Sequence, residues 1–270
     1  MRRTLRSAEG LGREAWRRHL LARAVDVTER AATTSCLVLA PHPDDETLGC
    51  GATIARKRAA GTPVRVLFAA DGRTSHRSAV VGPDELATIR AGEALAACEV
   101  LGVGPADVVQ LGLPDETLGA RRAELAEALA AELDAHPPDE VRLPSGRDWH
   151  PDHRALRAAL GDVLRGRRRP PQVREHPVWL WVHGPWDSSP DGPWVPLRPA
   201  SLLGYARRSA WATAEAVSTA GFLDLKRRAL LAHRSQTSNL TGEAGWATFD
   251  AAFVAAFMLP VELSFPAAAG

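Results

Sequence analysis

The chain has 270 residues, 45% of them hydrophobic and 24% charged, with a formal net charge of +1. That composition suits a globular protein with a substantial core and gives no electrostatic case for a nucleic-acid partner. Cys36, Cys50 and Cys98 form neither a CxxC pair nor a disulfide framework, which suits a reducing cytoplasm, and no apolar run is long enough to span a membrane.

Residues 1–34 read as an N-terminal helical extension, with Trp16, Leu20 and Leu21 on one face. Its many arginines invite a transit-peptide reading, but the interspersed Glu9, Glu14, Asp26 and Glu29 argue against it. Residues 35–270 read as a single domain. Within it, 36–40 (CLVLA) reads as a short buried strand of the kind found in parallel sheets, and 64–70 (VRVLFAA), 107–113 (DVVQLGL) and 140–143 read as three further strands. Helices are expected over 47–60, 83–101, 118–135 and from about 152 to 164, with Gly61, Gly102 and His136-Pro-Pro as stops. Alternation of strand and helix predicts an α/β protein: a Rossmann-like, doubly wound, mostly parallel sheet. Right-handed crossovers then bring the polar loops to one sheet edge, where ligands bind. No GxGxxG follows any strand, so a dinucleotide is unsupported. Further on, 177–183 (PVWLWVH) reads as another strand, 184–199 as a Trp/Pro-rich irregular segment near that edge, and 221–233 as a helix. The tail, with Phe249, Phe253, Phe257 and Met258, is expected to pack back on the core.

Two polar clusters interrupt this pattern at strand-to-helix junctions. The first is His42-Pro-Asp-Asp-Glu46 and the second is Asp148-Trp-His-Pro-Asp-His153. Imidazole and carboxylate are the ligands of catalytic zinc sites that keep a position open for water. His42 and Asp45, three apart at a helix start, can face one point, and His153 is the best third ligand from another element. Such an ion lowers the pKa of bound water to about 7. Asp44, beside the ligand Asp45, is placed for general-base work, and His150, held charged near Asp152, for stabilising an oxyanion or protonating an amine.

At these residues, Ala40-Pro-His-Pro-Asp-Asp-Glu46 with Thr47-Leu-Gly49 and Asp148-Trp-His-Pro-Asp-His153, the sequence resembles the PIG-L/LmbE family of zinc-dependent N-deacetylases. The similarity runs from about residue 35 to 165 and resumes weakly near 226–236. The resemblance implies His42, Asp45 and His153 as ligands of Zn2+, with Fe2+ as an alternative ion. It implies Asp44 as base and His150 as the acid that stabilises the intermediate, backed by Asp152. Arg90 and Asp115 are implied substrate contacts, and Trp149, Trp186 and Trp194 are candidate flat surfaces for a sugar face. His233 and Gln236, in AHRSQ, fit a late motif of structural role. The implied reaction is removal of an acetyl group from an N-acetylglucosamine-type sugar in a small-molecule conjugate, in thiol or secondary-metabolite biosynthesis. Three readings compete with it: an amidase on a different acylated conjugate, a non-catalytic metabolite binder, and a two-metal hydrolase recruiting Glu46 and Asp71.

Overall fold

A computed structural model of the chain describes residues 2–184 and 213–267. The chain order is α1 (Arg2–Arg23), β1 (Val25–Asp26), α2 (Thr28–Thr33), β2 (Cys36–Ala40), α3 (Asp45–Ala59), β3 (Val64–Ala70), α4 (Pro83–Val100) and β4 (Val108–Leu113). It continues with α5 (Arg122–Ala135), β5 (Glu140–Pro144), α6 (Pro151–Leu164), β6 (Gln172–His176) and α7 (Trp179–His183). Last come β7 (Glu215–Ser218), α8 (Leu223–Ala232), α9 (Arg234–Thr237), α10 (Ala251–Phe257) and β8 (Val261–Ala267).

Among the described residues, eight strands form one sheet in the order β1-β7-β8-β6-β5-β2-β3-β4. From β4 to β6 every pairing is parallel, with Cys36 opposite both Val64 and Glu140. β8 runs antiparallel to both β6 and β7. From β2 the chain first lays strands to one side (β3, β4) and then crosses to the other (β5, β6). The order therefore reverses between β2 and β5, the topological switch point where open α/β sheets bind ligands. Both polar clusters follow those two strands.

The core explains why β2 is apolar throughout and why β3 is apolar except at Arg65. Leu37, Leu39, Leu67 and Ala69 face α5 and α6, where Leu125, Leu129, Leu156 and Leu160 meet them. The alternate residues Cys36, Val38, Val64, Val66 and Phe68 face α3 and α4, against Ile54, Ala94, Ala97 and Leu101. A strand buried on both faces takes a charged residue only where a partner matches it, as Glu140 matches Arg142 in β5. A third cluster joins Trp16 and Leu20 of α1 to Trp181, Phe257 and Leu263, with Phe249, Phe253 and Met258 packed against it.

Two expectations are corrected. Residues 179–183 form a short helix, not a strand; the strand is the polar QVREH segment just before it. It sits inside the sheet because its charges are matched there: the Arg174 guanidinium pairs with Glu215 of β7. The C-terminal part also supplies two further strands, β7 and β8. Most of the expected segment 184–199, including Trp186 and Trp194, lies outside the described residues.

α3 is two helical pieces joined at Cys50 (φ −149°, ψ 26°). Glu262 of β8 accepts hydrogen bonds from the Ala52 and Thr53 N–H groups at 2.9 and 2.7 Å, capping the second piece. Lys226 of α8 donates to the Leu48 carbonyl at 2.9 Å and to Glu262 at 2.7 Å. The C-terminal elements thereby fix the angle at which the first turn of α3, with Asp45 and Glu46, enters the switch-point crevice.

Candidate metal centre and active site

The crevice is a cavity of about 320 Å³ lined by His42, Asp44, Asp45, Leu48, Thr74, Ser75, Arg90, Asp115, Glu116, His150, Val178, Trp179, Gln236, Phe249 and Phe253. The fold thus brings both sequence clusters to one place, 110 residues apart in the case of the His42–Asp152 hydrogen bond.

Three donor atoms converge at its floor. Asp45 Oδ2 lies 3.3 Å from His42 Nδ1 and 3.2 Å from His153 Nε2. Donor atoms about 3.3 Å apart form the edge of a tetrahedron whose centre is about 2.0 Å from each, the bond length of zinc to nitrogen or carboxylate oxygen. His153 Nε2 is buried and has no hydrogen-bond partner among the described residues. The opposite nitrogens are tied back. His153 Nδ1 lies 2.8 Å from Asp148 Oδ2, and His42 Nε2 lies 3.1 Å from Asp152 Oδ2. Each of these carboxylates is held by two backbone N–H groups: Asp148 by Trp179 and Leu180, Asp152 by Glu116 and Leu118. A carboxylate behind an imidazole takes its N–H and leaves the front nitrogen's lone pair free, the arrangement seen around metal-bound histidines. Both edges through Asp45 Oδ2 fit a tetrahedral divalent ion. Ring nitrogens of His42, His150 and His153 also lie within 4.8 Å of one another, so the three imidazoles form a second candidate donor set at the same place.

Charge follows the same geometry. Burial works against a charged His42, but its hydrogen bonds to Asp152 and Asp45 outweigh it and raise its pKa to about 9. For His153 burial is likewise outweighed by Asp45 and Asp148, giving about 10. Asp45 is penalised by burial yet held well below the usual carboxylate range by His153 and His42. Asp44 goes the other way: burial pushes its carboxyl up to about 7, with Arg90 opposing and Asp45 adding.

His150 departs from its expected state. Its pKa falls to about 4, first through burial and then through positive His42 and His153. It is a neutral imidazole whose Nδ1 accepts the Asp152 N–H at 3.2 Å as the N-cap of α6. The proton therefore sits on Nε2. The Asp152 carboxylate braces His42, not His150.

Arg90 and Asp115 both line the cavity but are committed to the protein. Arg90 Nη2 donates to Asp44 Oδ2 at 2.9 Å and to the Pro43 carbonyl. Asp115 accepts from Gly72 N (2.7 Å) and Thr74 N (2.9 Å), presenting the 72–75 loop. A Cβ on Gly72, at φ 76°, would come within 2.5 Å of Arg90 Nη1, so glycine is needed where the guanidinium lies across this loop. Trp149, 38% exposed, flanks the site with its ring 5.6 Å from that of His150 and 5.7 Å from that of Trp179. Glu46 and Asp71, the extra ligands of the two-metal reading, are taken by protein donors: His233, Thr47 and the Asp44 N–H for Glu46, Arg73 for Asp71.

Sequence reasoning missed Glu116, Thr74, Ser75, Trp179 and the role of Asp148. It assigned Phe249 and Phe253 to core packing alone, whereas they also form a stacked pair (4.5 Å between centroids) on the cavity wall. Asp148 could have been found from its spacing, five residues before His153 across a strand-to-helix turn.

Fold and site define an α/β protein with a candidate His–Asp metal centre at the carboxyl edge of its sheet. Residues 37–164 match the PIG-L family model, described as GlcNAc-PI de-N-acetylase. A 1D-myo-inositol 2-acetamido-2-deoxy-alpha-D-glucopyranoside deacetylase of Kineococcus radiotolerans is 35% identical over 165 residues, covering 46% of this chain and 45% of the relative. A probable N-acetyl-alpha-D-glucosaminyl L-malate deacetylase 2 of Bacillus subtilis is 29% identical over 143 residues, covering 51% of this chain and 64% of the relative. The chain spans about half the length of the first curated relatives it matches. In fold it is similar to a deacetylase of the teicoplanin biosynthesis pathway, with a TM-score of 0.60 at 19% identity, covering 86% of this chain and 97% of that one.

Proposed function

We propose that the chain is a zinc-dependent N-deacetylase acting in the cytoplasm on an N-acetylated, GlcNAc-type amino sugar of a small-molecule conjugate, one made in thiol or secondary-metabolite biosynthesis. The observation that carries this is the Asp44 carboxyl at the cavity floor, beside the converging donor atoms of His42, Asp45 and His153. The names of the matching curated relatives support the substrate class. Zn2+ is proposed as the ion, with Fe2+ as the alternative.

His42 Nδ1, Asp45 Oδ2 and His153 Nε2 would hold the ion, which when bound supplies acidity to an attacking water and polarises the amide carbonyl. Asp44, poised near neutrality by burial, accepts the water's proton as the C–O bond forms and returns it to the nitrogen as the C–N bond breaks. His150 donates its Nε2–H to the carbonyl oxygen as negative charge develops there, which a neutral imidazole can do. Asp152 acts by orienting His42. Arg90 holds Asp44, and the Asp115-braced loop offers Thr74 and Ser75 to sugar hydroxyls. Trp149 and the wall of Trp179, Phe249 and Phe253 give flat apolar surface for a pyranose face.

Acetate release from a panel of N-acetylated amino-sugar conjugates, with zinc added, tests the assignment. Acetate with a free amino sugar is expected. No release from any member by metal-loaded protein would overturn it.

A further inference from the structure

Among the described residues, two non-glycine residues have positive φ, Asp44 (φ 127°) and Glu116 (φ 62°), and both line the cavity. Such backbone conformations persist only where the surroundings enforce them. For Asp44 the surroundings can be named. Its N–H donates to Glu46 Oε2 at 3.0 Å. The other oxygen of Glu46 accepts from Thr47 Oγ1 and lies 2.9 Å from His233 Nε2. Glu46 and His233 are both 0% exposed. His233 comes from the end of α8, 187 residues away. Two residues later, Ser235 donates through its N–H and Oγ to the Glu93 carboxylate, at 2.7 and 2.6 Å, on the helix that carries Arg90. One short segment thus grips the turn that bears Asp44 and the helix that bears its arginine.

A helix start needs none of this. α3 begins at Asp45 with no side-chain cap from Asp44, and an ordinary N-cap has an extended backbone. The unusual conformation turns the Asp44 side chain into the cavity, beside Arg90, while Asp45 next to it joins the donor set. Without an acceptor behind the Asp44 N–H, the turn would relax toward negative φ, and the two neighbouring carboxylates could not hold both placements.

We infer that Glu46 and His233 are positioning residues, a buried clamp that holds Asp44 in its left-handed conformation and so aims the base at the reacting centre. The inference rests on Asp44 being the base. A misplacement of this group by about 1 Å is expected to cost on the order of 100-fold in rate.

The test compares Glu46→Ala, Glu46→Gln and His233→Ala with the wild type. Glu46→Gln keeps a carbonyl oxygen for the Asp44 N–H and should retain most activity. Glu46→Ala should lose about 100-fold in kcat with KM and metal stoichiometry near wild type, and its crystal structure should show Asp44 at negative φ. His233→Ala, which removes only the brace, should fall between them and serves if Glu46→Ala does not fold. Unchanged kcat in both alanine variants would overturn the clamp, as would lost metal accounting for the lost rate, or Asp44 keeping φ near 127° without Glu46. If wild-type protein deacetylates nothing in the panel, the functional assignment fails, and the Asp44 conformation in the variants still judges the clamp.

Discussion

His153 Nδ1 lies 2.8 Å from Asp148 Oδ2, and both side chains are sealed from solvent. This contact fixes which nitrogen of His153 carries the proton and directs Nε2 at Asp45. Asp148 is itself immobilised by the N–H groups of Trp179 and Leu180, so α7 is tied to the second polar cluster. Asp148→Ala should therefore lower zinc affinity by about 10- to 100-fold while leaving all three donor residues in place. Competition against a chromophoric chelator measures this directly; an unchanged affinity would show that His153 needs no orienting partner.

Metal affinity should also climb steeply with pH. In the metal-free protein His42 and His153 hold their protons up to about 9 and about 10, and an ion must displace both. Below pH 9 each bound proton costs about tenfold in apparent affinity per pH unit, so two together give up to about 100-fold per unit. Asp45 adds nothing to this slope, because its carboxyl is held well below the usual range by the same histidines. Calorimetric titration at pH 6, 7 and 8, in buffers of differing ionisation enthalpy, should count about two protons released per ion at pH 8 and more than two at pH 6, where Asp44 also gives up its proton. Fewer than one would contradict the proposed pair of histidine ligands.

The metal-capable residues were legible in the sequence because they sit in two short runs at strand-to-helix junctions, and the strands preceding them set their edge of the sheet. What escaped were relations across the fold. Asp152 adjoins His153 and nearly adjoins His150, yet its carboxylate serves His42, because α6 begins at Pro151 and turns that side chain toward the first cluster. β6 escaped because QVREH looks like a polar turn until Glu215 arrives to match Arg174. β8 hid in the same way, since Glu262 reads as a surface residue until Lys226 and the kink of α3 surround it. In each case the stabilising partner lies tens to hundreds of residues away, beyond the reach of local periodicity.

Removing Arg90 should move the acid limb of the rate profile. Burial pushes the Asp44 carboxyl up to about 7, and the Arg90 guanidinium, 2.9 Å away, opposes that rise. The base works as the carboxylate, so activity should increase with pH through this range. Arg90→Met takes away the opposing positive charge; the Asp44 pKa then rises and the limb shifts to higher pH. The loss should accordingly be larger at pH 6 than at pH 8.5. A bound ion lowers the pKa in both proteins, so the direction of the shift is kept. A limb that stays put, or moves to lower pH, would mean that Arg90 does not act on Asp44.

Gly49 offers a test of how tightly the first piece of α3 is seated. A glycine inside a helix usually costs about 1 kcal/mol relative to alanine, so Gly49→Ala would ordinarily stabilise. Here a Cβ would fall 2.0 Å from His176 Cδ2 and 2.8 Å from its Cγ. His176 is 0% exposed, so its ring has no solvent to move into. Overpacking of this kind costs about 1–3 kcal/mol, which outweighs the helix-propensity gain at the upper end and leaves Gly49→Ala net destabilised by up to about 2 kcal/mol. His176→Ala removes the obstructing ring. It also removes two buried nitrogens that have no hydrogen-bond partner among the described residues, so it should rescue the alanine. Urea unfolding of both single variants and the double variant should give a favourable coupling of at least about 1 kcal/mol. Additive effects would show that the Gly49–His176 contact does not set the position of the turn carrying Asp45.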